Sequence, residues 1–257
     1  MIFYFSSTGN SRWAAETIGA LTGDKVMNIA EMLHGTERVI TLEEGEKLGF
    51  VFPVHGWRVP GIVREFVSEM EFRNVTPDTY IFALATAGDS VGECMTLFRN
   101  HLSLKGLQLH AAYSIVMPES YIGLPFMYLD KPARERRKRL QAEALLKQYA
   151  EHINNSDDCE HLQKGAFPHL YSGLFGDFFY GVCVTDKHFH VDSNKCVGCG
   201  LCERLCPVGD IAMTEAGLPQ WKVSQKCMTC YSCLHHCPQN AITWGWFTKG
   251  KGQYLFK

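Results

Sequence analysis

The sequence predicts an α/β protein in two parts: a doubly wound, five-stranded parallel sheet, then a small α+β domain built around metal. Short apolar, β-rich runs at 1–5, 25–29, 47–54, 79–86 and 107–117 alternate with helical periodicities. Of eleven cysteines only Cys94 falls in the first 150 residues, whereas eight lie between 196 and 237. At 257 residues and 46% hydrophobic content, the chain has enough apolar matter for one large or two ordinary cores.

The first run, Ile2 to Phe5, leads into a helix on which Trp13, Ala14, Thr17, Ile18 and Leu21 share a face. Helices follow near 60–70 and 91–104. The last begins after Asp130 as N-cap, carries Pro132 in its first turn and runs to about Ile153, with Ala142, Leu145, Leu146, Tyr149 and Ile153 as its apolar stripe. Strands alternating with helices imply a parallel sheet covered on both faces, with ligands at the carboxyl ends of the strands. Residues 1–155 form this domain, 156–188 connect and 189–257 form the second domain. The connection holds Phe167, Tyr171, Leu174, Phe175, Phe178, Phe179 and Tyr180 among glycines, a density that argues for helical packing between the domains.

A net charge of −2 supplies no basic field for nucleic acid. The aromatic run from Tyr171 to Val184 is broken by Asp177 and too short to span a bilayer. Met1 opens directly onto Ile2, Phe3 and Tyr4 with no basic or long apolar leader, so a cytoplasmic protein is expected. Thiols stay reduced there, which turns the cysteine cluster from a disulfide reading to a metal one.

The loop after the first strand is Ser6-Ser7-Thr8-Gly9-Asn10-Ser11. It has neither the G-x-G-x-x-G pattern nor a Walker lysine. Hydroxyls, a flexible glycine and helix N-terminal amides suit a phosphomonoester that stays bound; the plainer alternative is a cluster that only starts a helix. Two more loops fall at strand ends: Pro53-Val54-His55-Gly56-Trp57 and Thr86-Ala87-Gly88-Asp89-Ser90. Trp57 offers a wall for a flat aromatic ligand, or else anchors its loop; Asp89 and Ser90 line the ligand, or else cap the next helix. Tyr121, in the loop after the fifth strand, is a proton donor, a ring cover or a loop anchor.

The most specific signal is a repeat offset by 31 residues: Cys196, Cys199, Cys202, Cys206, Pro207 in one copy and Cys227, Cys230, Cys233, Cys237, Pro238 in the other. Zinc sites pair C-x2-C with a distant second pair and need no third cysteine two residues on. His235 and His236 lie inside the second run and are read as solvated; Cys94, Cys159 and Cys183 lie outside any ligand spacing. The spacing resembles that of bacterial ferredoxins with two [4Fe–4S] clusters. By that resemblance Cys196, Cys199, Cys202 and Cys237 hold one cluster, and Cys227, Cys230, Cys233 and Cys206 the other.

The first loop, with its S-x-T-G-x-S pattern, resembles the FMN-phosphate loop of flavodoxins, which implies strand order 2-1-3-4-5, with Trp57 and the backbone of 54–57 and 86–90 around the isoalloxazine. No aromatic stands in the third loop, so one flavin face is expected to be open unless a substrate, the second domain or an aromatic from elsewhere covers it. The whole chain is similar to the flavodoxin–ferredoxin fusions of anaerobic bacteria and archaea, the family called EFR1. The resemblance implies FMN and two [4Fe–4S] clusters, and electron transfer that couples one-electron and two-electron steps. Alternatives are a flavin-dependent reductase of a small oxidised substrate, and a flavin-free ferredoxin with a docking domain. The implied partner is a redox protein, ferredoxin or reductase, or a small-molecule acceptor. The basic run Arg134, Arg136, Arg137, Lys138 and Arg139 is either a solvated helix face or a dock for an acidic ferredoxin.

Overall fold

The computed structural model describes residues 1–256. The first domain runs β1 (Ile2–Tyr4), α1 (Asn10–Thr22), β2 (Val26–Asn28), α2 (Ile29–His34), β3 (Val39–Thr41), β4 (Leu48–Pro53), α3 (Gly61–Glu69), β5 (Glu71–Arg73), β6 (Ile81–Ala87), α4 (Cys94–Ser103), β7 (Ala111–Val116), α5 (Pro132–Asn155) and β8 (Glu160–His161). The main sheet has the order β2-β1-β4-β6-β7-β8, with every pair parallel. The five expected strands thus take the expected order 2-1-3-4-5. The sixth strand, β8, is two exposed polar residues and carries no apolar signal. A separate parallel pair, β3 with β5, was likewise unexpected from the sequence.

Side-chain alternation sorts the sheet into two faces. Phe3, Phe5, Phe50 and Phe52 point into one core with Phe66 of α3 and Phe98 of α4. Ile2, Val51, Phe82, Leu84 and Tyr113 point into the other, with Ile18 of α1 and Leu146 of α5. Two sequence expectations need correction here. Leu21 is exposed, and the buried face of α1 is Ala14, Ala15, Ile18 and Gly19. The N-cap of α5 is Lys131, with no side-chain cap, because Asp130 turns away to pair with Lys138.

The connection becomes α6 (Pro168–Leu170), a π-helical turn (Tyr171–Phe175) and α7 (Gly176–Val182). One side of it packs: Ser172 and Gly176 are buried, and Arg58 binds the carbonyls of Ser172 and Gly173 and the carboxylate of Asp177. The other side, with Phe167, Leu174 and Phe178, is exposed, so the packing is one-sided.

The second domain pairs β9 (Phe189–Val191) with β12 (Ile242–Trp244), and β10 (Ile211–Met213) with β11 (Pro219–Trp221), both antiparallel. Two single-turn helices, α8 (Leu201–Arg204) and α9 (Ser232–His235), carry the third cysteine of each run. After β12 the chain returns to the first domain. Lys251 Nζ donates to the carbonyls of Ile122, Leu124 and Met127. Among the described residues no helix is long and apolar enough to cross a membrane.

Candidate cofactor sites

The loops at 6–11, 53–57 and 86–90 follow β1, β4 and β6, three neighbours in the sheet, and so meet at one carboxyl edge. Val54 N–H bonds Thr86 O at 2.9 Å, and Ser11 Oγ lies 2.7 Å from Thr86 Oγ1. Gly9 takes a left-handed conformation (φ 100°) at the start of α1 and supplies no side-chain cap. Asn10 and Ser11 are buried in the first turn. Amides of a helix's first turn lack intrahelical acceptors, and here no side chain caps them. That donor set fits a phosphate. Asn10 is fixed from both ends: Nδ2 donates to Pro118 O (3.0 Å) and Oδ1 accepts from the Tyr254 hydroxyl (2.8 Å). Phe256 N–H bonds Thr8 O at 2.8 Å, and its ring stacks on Trp13. Sequence reasoning passed over Tyr254 and Phe256, although Tyr254-Leu255-Phe256 is an apolar triplet after a polar stretch.

In the second loop His55 and Arg58 exchange both backbone hydrogen bonds at 3.0 Å around Gly56 (φ 54°) and Trp57 (φ 58°). Two successive positive φ values define a tight two-residue hairpin. A tryptophan rarely adopts this conformation, and three contacts hold it there. Its indole N–H donates to Ser90 Oγ (3.3 Å), its carbonyl accepts from Ser172 Oγ (3.0 Å), and its ring stacks on Tyr171 with centroids 5.2 Å apart. These contacts make Trp57 an anchor of its loop. Ser90 does not cap α4: the N-cap there is Glu93, whose N–H goes to Ser172 Oγ. Tyr171 brings an aromatic from outside the three loops to the Trp57 ring. His55 is pushed down to about 4 by burial.

The third loop rests on a buried ion pair. Lys138 Nζ bonds Asp130 Oδ2 at 2.6 Å and Gly88 O at 2.8 Å, both side chains being almost wholly buried. Burial pushes the Asp130 carboxyl up, but the bonds from Lys138 and the Glu119 N–H, with the Lys138 and Arg134 charges, outweigh it and hold it low. Lys138 thus leaves the basic run, while Arg134, Arg136 and Arg137 stay exposed.

Cys196, Cys199, Cys202 and Cys237 line one cavity. Cys237 thus sits beside the first run, and Cys206 lies near Cys227, Cys230 and Cys233, so the fourth cysteine of each run sits beside the other run. Among the described residues no three His, Cys, Asp or Glu side chains converge as a single-ion site requires. Thiols spread around a cavity suit a polynuclear cluster. Asp210 N–H and Ala241 N–H point at the sulfurs of Cys206 and Cys237, at 3.2 and 3.3 Å, in equivalent places of the repeat. Burial pushes the Cys230 thiol up to about 12 and raises Cys227 and Cys233 as well, so ligation there must expel protons.

The repeat is also one of backbone shape. Gly198 and Gly200 are left-handed in the first copy, and Thr229 (φ 50°) and Tyr231 (φ 57°) in the second. Thr229 is held by donating to Cys183 O and accepting from Thr185 N–H; Tyr231 is held by burial against Tyr121 and Phe189. Tyr121 is therefore an interface residue, its ring 5.2 Å from Phe179 and 5.3 Å from Tyr231. His235, read as solvated, is buried: its Nε2–H donates to Ser120 O and its Nδ1 accepts from Tyr254 N–H.

A flavodoxin domain model matches residues 1–112, and a 4Fe-4S dicluster domain model matches 188–238. The cofactors of such domains are FMN and [4Fe–4S] clusters. An uncharacterized ferredoxin of Methanocaldococcus jannaschii is 41% identical over 54 residues, 20% of this chain and 70% of its own. An uncharacterized protein of the same organism is 43% identical over 60 residues, 23% of this chain; the chain spans only 22% of that relative's length. Among solved structures, a flavodoxin of Streptococcus pneumoniae is 14% identical with a TM-score of 0.36, covering 60% of this chain and 96% of its own.

Proposed function

We propose that this chain, which joins a flavodoxin domain to a 4Fe-4S dicluster domain, is an internal electron carrier, passing electrons between FMN at the 6–11, 53–57 and 86–90 loops and two [4Fe–4S] clusters. Cys196, Cys199, Cys202 and Cys237 hold one cluster; Cys227, Cys230, Cys233 and Cys206 hold the other. FMN supplies one- or two-electron chemistry, and each cluster one electron at a time. The residues of the chain bind and orient. The α1 amides and loop hydroxyls take the phosphate, Trp57 walls the crevice, and Tyr171 keeps solvent from the indole face.

The observation that carries the reading is the shared core between the domains. Tyr231, between Cys230 and Cys233, packs on Tyr121 of the loop after β7, and Met228 inserts at the start of α3. The second cysteine run is thus locked onto the first domain without a flexible tether. Such fusion replaces collision by a fixed neighbour.

Rapid mixing of the anaerobic holoprotein with a one-electron viologen reductant tests it. Flavin and cluster absorbance should bleach in the same phase, and protein reconstituted with FMN alone should bleach much more slowly. Equal flavin rates with and without clusters would contradict the proposal.

A further inference from the structure

We infer that the two clusters are unequal and ordered. The one held by Cys206, Cys227, Cys230 and Cys233 is the inner centre, facing the flavin domain; the one held by Cys196, Cys199, Cys202 and Cys237 is the outer centre, where a one-electron carrier protein docks beside Val197. The inference rests on the function proposed above and adds the sequence of centres and the port.

Its ground is the way the 31-residue repeat breaks its own symmetry. Met228 and Val197 occupy the same place in the two copies. Met228 is 8% exposed, joins the core of the first domain and accepts the Ile62 N–H on its sulfur at 3.3 Å; Val197 is 63% exposed. Tyr231, buried against Tyr121, stands where the first copy has Gly200. His235 reaches Ser120 O in the first domain, while its counterpart Arg204 folds back onto Cys199 O of its own loop. Cys230 packs against the first domain's core, and its counterpart Cys199 is exposed. At each of these places the second copy turns inward and the first outward.

Both loops are otherwise built alike, so the inward set exists to bring one cluster to the flavin crevice. Met228 meets α3 directly after the loop that carries Trp57, and Phe179 links Tyr121 to Gly56 of that loop. Electron transfer falls steeply with distance, which makes the outer cluster the exchange point with another protein. One electron leaves the carrier for the outer cluster and passes inward; two passes, with protons from solvent, complete the two-electron reduction of FMN. Oxidation runs the same steps backward.

Partial iron removal tests the order without any substitution. The anaerobic holoprotein is treated with limiting water-soluble chelator in the presence of iodoacetamide, and the alkylated cysteines are identified by mass spectrometry. Cys196, Cys199, Cys202 and Cys237 should be labelled first, as a set of four. First labelling of Cys206, Cys227, Cys230 and Cys233, or of all eight together, would overturn the order. First labelling of Cys196, Cys199, Cys202 and Cys206 would uphold the order while refuting the crossed ligand sets of the proposed function. For the port, Val197→Lys, compared at matched iron content and iron–sulfur absorbance, should slow electron delivery to cytochrome c at least tenfold. An unchanged cytochrome c rate would overturn the port; absent flavin–cluster exchange in the unsubstituted protein would refute the carrier function itself.

Discussion

The hydroxyl of Tyr254 donates to Oδ1 of Asn10 across 2.8 Å and 244 residues of sequence, tying the second domain to the 6–11 loop. Both residues are buried. Tyr254→Phe leaves that acceptor without a partner at a cost of about 1–2 kcal/mol. Asn10 then loses one of its two anchors, so FMN should dissociate several-fold faster. Denaturant unfolding and recovery of free-flavin fluorescence read the two effects separately.

Trp57 and Tyr171 make a second long-range pair. Tyr171→Ala removes an aromatic stack of about 1 kcal/mol and uncovers the indole. Tryptophan emission should shift to the red, and the reduced flavin should react several-fold faster with small oxidants. Unchanged reactivity would mean that Tyr171 shields the tryptophan without guarding the crevice.

The Lys138–Asp130 pair is worth most when broken singly. Asp130→Ala strands a buried ammonium and should cost about 3–5 kcal/mol. The double variant Asp130→Leu/Lys138→Met should recover most of that loss. Urea unfolding of the single and double variants gives the comparison, and an additive double variant would contradict the account.

His55 sets a pH response. Burial lowers it from 6.5 to about 4, so it stays neutral in the fold while the unfolded chain takes up a proton below 6.5. Stability is therefore complete above pH 6.5 and is lost as pH falls from 6.5 toward 4. Between pH 7 and pH 5 the loss should be about 1–2 kcal/mol, discounted because the ring is only partly buried. His55→Gln should flatten that slope in fluorescence-monitored unfolding.

Much of this molecule was legible in its residues because short-range rules govern the parts concerned. Period-2 and period-3.6 patterns place five strands and their helices, and cysteine spacing marks the clusters. What escaped depends on contacts between distant segments. Glu160 and His161 form a strand only because β7 offers an edge, and Asp130 leaves its capping place because Lys138 needs a counter-ion. His235 reads as polar surface until Ser120 and Tyr254 arrive around it. Thr229 and Tyr231 look ordinary in sequence, yet take left-handed conformations where the first copy shows glycine.

An anaerobic reductive titration of the FMN-loaded, cluster-reconstituted protein, followed by visible absorbance, tests the central claim most directly. Two electrons for FMN and one for each cluster predict about four equivalents per chain, with flavin and iron–sulfur bands both bleaching. About two equivalents with bleaching of the iron–sulfur bands alone would contradict the flavin carrier and leave a ferredoxin with a docking domain.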